Sequence, residues 1–119
     1  MHWFEDEWSL QKGSDKKHTL AIYPTMFDYV RMFNLKPVLI DFKEISHKPL
    51  TDKQTSRYEQ ANVKYPMMVT ALHNPDNLPY RMIDGRHRIH KLKDVGAQEG
   101  YFYIIPVSFV LLNIKLVSK

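Results

Sequence analysis

The sequence predicts an α+β domain, a small mixed sheet with helices, and three observations carry that expectation. The first is a change of apolar period at Gly85. The run 80-YRMID-84 reads as a strand, while 86-RHRIHKLKDV-95 places Ile89, Leu92 and Val95 on one helical stripe. The second is a set of short apolar runs bounded by turn formers, such as 66-PMMVTALH-73 and 37-PVLIDFKEI-45. The third is size and composition. A chain of 119 residues, 44% hydrophobic and 25% charged, can bury one core without cross-links.

In chain order, 11-QKGSDKKH-18 reads as a polar loop. From Thr25 onward, Met26, Phe27, Val30 and Phe33 suit a short amphipathic helix with Thr25 as N-cap, closed by Asn34 and Pro37. A strand follows over 37–45. The polar stretch 46–64 contains 51-TDKQTSRYEQ-60, a helix candidate with a weak apolar face. The strand at 66–73 and the strand 80–84 form a β-hairpin across the turn-rich 74-NPDNLP-79. The basic helix ends at Gly96, in the usual left-handed position. Residues 101-YFYIIPVSFVLLNIKLV-117 read as buried strand breaking near Asn113. The interruptions Pro106, Ser108, Asn113 and Lys115 argue against a membrane span there. Two units result: an N-terminal extension with a short helix, 1–36, and a single compact domain, 37–119.

Cysteine is absent, which removes disulfides, thiolate zinc sites and a cysteine nucleophile. That fits a reducing compartment, and the acidic, aromatic start MHWFEDEWSL lacks a signal-peptide pattern, so a cytoplasmic location is expected. The net charge is +4, and residues 81–93 alone carry as much: Arg81, Arg86, Arg88, Lys91 and Lys93 against Asp84. A focused basic patch implies an anionic partner, although most charge runs are solvated faces.

The strand–glycine–helix junction gives that charge a chemistry. Gly85 permits a sharp turn and close approach of a ligand to the backbone. The first helical turn offers unbonded N–H groups and the positive end of the helix dipole, where phosphates commonly sit. Here that turn also carries Arg86, His87 and Arg88. Cations there oppose the dipole, and a bound anion would compensate.

These residues carry a resemblance. The run from 66-PMMVTAL through YRMIDGRHRIHKLKDVG to YIIPVSFV-110 resembles the ParB/sulfiredoxin-like (ParB-like nuclease domain) superfamily, and 37-PVLIDFKEISHKPL-50 resembles its opening element. The likeness spans roughly residues 37–112. It implies a strand–Gly turn–helix phosphate motif, with His87 and Arg88 as nucleotide-phosphate ligands. The sulfiredoxin nucleophile falls at Arg86, so sulfinic acid reductase activity is not implied. The DNA-reading and dimerisation regions of chromosome-partition proteins would begin about where this chain ends. Relatives bind CTP and DNA, phosphorylate serine, hydrolyse ATP or are described as nucleases.

The resulting site expectation joins Gly85, Arg86, His87, Arg88, Lys48 and Thr51 as phosphate ligands, with Lys53 a further donor. Glu44 and His87 are the candidates for proton transfer. Asp84 could hold a metal, orient a neighbour or pair with an arginine. Mg²⁺ would accompany a bound nucleotide. His87 and His90 lie three residues apart on the helix, but zinc would need a third ligand and would face cations. Tyr101, Phe102 and Tyr103 read as core more than as a base-stacking platform.

Three functions compete. The first is binding of a nucleotide or polyphosphate at the DGRHR turn, with phosphoryl hydrolysis or transfer. The second is DNA binding, or weak nuclease action, by the basic helix. The third is a non-enzymatic phage or plasmid accessory role, through a protein partner docked on the N-terminal segment around Trp3 and Trp8. No membrane contact is expected.

Overall fold

The computed structural model describes residues 2–6, 17–47 and 59–118. It is an α+β domain. The strands are β1 His2–Asp6, β2 Lys17–Tyr23, β3 Val38–Asp41, β4 Ile45–Ser46, β5 Met67–Thr70, β6 Tyr80–Asp84, β7 Glu99–Ile104 and β8 Ile114–Ser118. The helices are α1 Thr25–Met32, α2 Arg86–Asp94 and α3 Val107–Leu112, with a 3₁₀ turn η1 at Phe42–Glu44.

Five strands form a mixed sheet in the order β3-β7-β5-β6-β4. β3 pairs antiparallel with β7, and β5 antiparallel with β6, whereas β5–β7 and β4–β6 are parallel. This order forces curvature. β3 and β4 occupy opposite edges yet are joined only by η1. A flat sheet would separate its edges by four strand spacings, about 19 Å. A 3₁₀ link rises only about 2 Å per residue, so the edges must curl toward each other.

The central strands are covered on both faces. Successive residues of β5 go to different cores: Met67 and Val69 to one, Met68 to the other. In β6, Met82 and Ile83 divide in the same way. This is why 67-MMV-69 is apolar without alternation and β5 is buried throughout. One core holds Ile40, Phe42, Ile45 and Phe102 together with Ile89 of α2. The other holds Leu20 and Ile22 of β2, Met26 of α1, Ile105 and Val110. The segment read as an extension thus supplies core side chains to the sheet. Its strands β1 and β2 build a three-stranded antiparallel sheet with β8.

The hairpin β5–β6, helix α2 and the left-handed Gly96 (φ +90°) follow the sequence reading. The hairpin loop is held by Asn74, 2% exposed, whose side chain accepts from Leu78 N–H at 3.0 Å and donates to Leu78 O at 2.8 Å. Asn34 (φ 49°) closes α1 as expected.

Other expectations need correction. Pro24 occupies the N-cap of α1, and Thr25 is its first residue. The strand expected over 37–45 stops at Asp41, whose side chain caps η1 by accepting from Lys43 N–H at 2.9 Å. β2 was not anticipated, and it includes residues 17 and 18 of the stretch read as loop. The strand read over 101–117 ends at Ile104, and residues 107–112 are helical. Val95 is 78% exposed at the C-cap of α2 and does not continue the Ile89–Leu92 stripe. Of the 51–60 helix candidate only residues 59–60 are described, and they are helical.

Candidate functional site

β6 delivers the chain to Gly85, which stands at the N-cap of α2 with φ +116°. Two local constraints select glycine there. The left-handed backbone disfavours a side chain, and an added Cβ would lie 2.8 Å from Met67 Cβ and closer still to Met67 Cγ. The sharp turn is therefore packed directly on the core.

The amino end of α2 has no side-chain cap and no acidic residue in its first turn. The first intrahelical bond runs from Ile89 N–H to Gly85 O at 2.9 Å. N–H groups ahead of it have no acceptor within the helix. Arg86 is exposed and makes no hydrogen bond or ion pair with the described residues. His87 is half-buried beside it.

Arg88 has a different environment. Its Nη2 donates to Asp84 Oδ2 at 2.8 Å, and its Nη1 donates to Pro66 O at 2.8 Å and to Tyr65 O at 3.4 Å. With the two side chains 18% and 21% exposed, this is a partly buried ion pair. It ties the end of β6 and the start of α2 to the chain entering β5. Asp84 thus pairs with an arginine, one of the roles open to it in the sequence.

The two lysines of α2 are also engaged within the fold. Lys91 Nζ donates to Glu59 O at 2.8 Å and Ala61 O at 3.3 Å. Lys93 Nζ lies 2.8 Å from His47 Nε2, and the His47 ring meets His90 edge-on at 5.1 Å between centroids. Partial burial pushes Lys93 below the ordinary lysine value, although the residue as a whole is exposed. The helical spacing of His90 and Lys93 was legible in the sequence. Their convergence with His47 was not, because it depends on the return of β4 to the edge of β6.

The junction gathers Asp84, Gly85, Arg86, His87 and Arg88. Glu44 is exposed at the end of η1, and the next residue, Ile45, pairs with Tyr80 at the start of β6. At about 3.3 Å per residue, β6 separates that point from Gly85 by roughly 16 Å. Lys48, Thr51, Lys53 and Trp8 lie outside the described residues, and so do the side chains of β1, including Trp3.

The Asp84 carboxylate is engaged by Arg88, and no cluster of three His, Cys, Asp or Glu side chains suited to a metal occurs among the described residues. Among those residues no helix is long and apolar enough to cross a membrane.

No protein-family model, curated protein or solved structure matches the chain.

Proposed function

We propose that this is a ParB/sulfiredoxin-like domain that binds the phosphates of a nucleotide or polyphosphate at the amino end of α2. The observation that carries the reading is the uncapped first turn of α2, which lacks any carboxylate and presents exposed Arg86 next to His87. Main-chain N–H groups, the helix dipole and a guanidinium converge there on one kind of ligand. Arg88 acts as the brace that holds the turn, through Asp84 and Pro66. Arg86 and His87 are then the side chains that touch phosphate. Any Mg²⁺ would arrive coordinated by the ligand's own phosphates, and phosphoryl transfer would rest on positioning and charge neutralisation.

The DNA reading is weaker, because Arg88, Lys91 and Lys93 spend donors within the fold instead of forming a continuous basic face. One observation favours protein contacts. Met32 and Phe33 at the end of α1, and Leu112 at the end of α3, are 75%, 62% and 80% exposed.

The test is thermal unfolding against ATP, ADP, CTP, GTP, pyrophosphate and a short DNA duplex, with and without Mg²⁺, for wild type and Arg86→Ala. A ligand at ~100 times its dissociation constant stabilises by about 2.7 kcal/mol. Stabilisation by phosphate ligands that is lost in Arg86→Ala supports the reading. A flat response to every mononucleotide and to pyrophosphate rejects it.

A further inference from the structure

A second chemical feature lies at the opposite end of α2, independent of the junction. A cavity of about 220 Å³ opens between the β3–η1 turn and the end of the helix, lined by Asp41, Phe42, Lys43, Lys93, Ala97 and Gln98. Two of these are amines, and the Phe42 and Ala97 walls are apolar. Lys93 is distinguished by its neighbour: its Nζ sits 2.8 Å from His47 Nε2. With the ammonium charged, Nε2 must be the acceptor, which places the imidazole proton on Nδ1. An imidazole in hydrogen-bond contact with an ammonium is placed to receive its proton as the amine reacts. Among the described residues, charged and titratable groups near this amine include Asp41 and Lys43 from β3 and η1, His47 beyond β4, and His90 one turn earlier on α2. Asp41 is partly engaged, since its Oδ1 accepts from Lys43 N–H at 2.9 Å.

We propose that Lys93 is a nucleophilic amine for small carbonyl compounds that carry a carboxylate, with His47 accepting its proton and Lys43 receiving the carboxylate. The Lys93 ammonium passes a proton to His47 Nε2. The neutral amine attacks the carbonyl carbon, an N–C bond forms, and the C=O π electrons move onto oxygen. That oxygen takes a proton as the nitrogen loses one, giving a carbinolamine. Loss of water then leaves an imine. No oxidant or further reactant is required. Partial burial supports the same assignment, because it favours the uncharged amine.

The probe is glyoxylate with cyanoborohydride, which traps the imine as carboxymethyl-lysine on the folded full-length chain at neutral pH. Peptide mass spectrometry reads the rate at each lysine. Lys93 is expected to react several-fold faster than exposed Lys36 and Lys64, and that advantage should disappear in urea. In Lys43→Ala the preference of Lys93 for glyoxylate over propionaldehyde should fall, and His47→Gln should slow Lys93 while leaving Lys36 and Lys64 unchanged. A Lys93 rate no greater than that of Lys36 and Lys64 in the wild-type protein overturns the proposal, whatever the variants do.

Discussion

Arg88 holds Asp84 on one side and the Pro66 carbonyl on the other, each at 2.8 Å, so its loss strands a partly buried carboxylate. Arg88→Ala is expected to cost about 2 kcal/mol in urea unfolding, discounted for the remaining solvent exposure. Arg88→Lys should recover only a small part, because an ammonium cannot reproduce the fork that spans both acceptors. The glycine was legible as a turn former, but its packing was not. Gly85→Ala combines a left-handed backbone with collision against Met67 and should cost about 2–4 kcal/mol. Arg86→Ala should leave the unfolding midpoint close to wild type, since Arg86 makes no hydrogen bond or ion pair with the described residues. A local sequence motif cannot distinguish Arg86 from Arg88. The acceptors of Arg88 at residues 65 and 66 lie more than twenty positions away.

At the level of elements, α2 is legible because its period, its glycine boundaries and its basic residues agree. Ile89 is fully buried in the core it shares with Phe102, and Ile89→Ala should cost about 2–5 kcal/mol. The opposite case is α3. Apart from Ser108, the residues 107-VSFVLL-112 are β-branched, aromatic or aliphatic with no helical alternation, so the sequence suggests strand. Tertiary packing decides otherwise. Val110 is buried, the Phe109 ring meets Tyr29 at a tilt with centroids 4.3 Å apart, and Pro106 turns the chain out of β7. The corner between β7 and α3 is held by Thr70 Oγ1, which donates to Ile105 O at 2.8 Å inside the core. Thr70→Val keeps the shape, removes that donor and leaves a buried carbonyl short of one partner. A cost of about 1–3 kcal/mol is expected.

For the whole molecule, composition and the strand–turn–helix pattern were enough to give an α+β class. The sheet order was not, because β3 and β4 are neighbours in sequence and opposite edges in space. Nor was the contribution of the first strands, whose partner β8 lies at the far end of the chain. Leu20, Ile22 and Met26 fill one of the two cores against Met68, Ile83 and Ile105. A fragment of residues 37–119 should therefore lose cooperative unfolding, read as a broadened urea transition and loss of near-ultraviolet dichroism.

The most direct measurement is an amide NMR titration of the full chain with pyrophosphate, repeated in Arg86→Ala. The largest shifts are expected at the amides of Gly85, Arg86, His87 and Arg88, saturating in wild type and lost in the variant. Shifts that are absent from those four amides, or that persist unchanged in Arg86→Ala, would contradict a phosphate site at the amino end of α2.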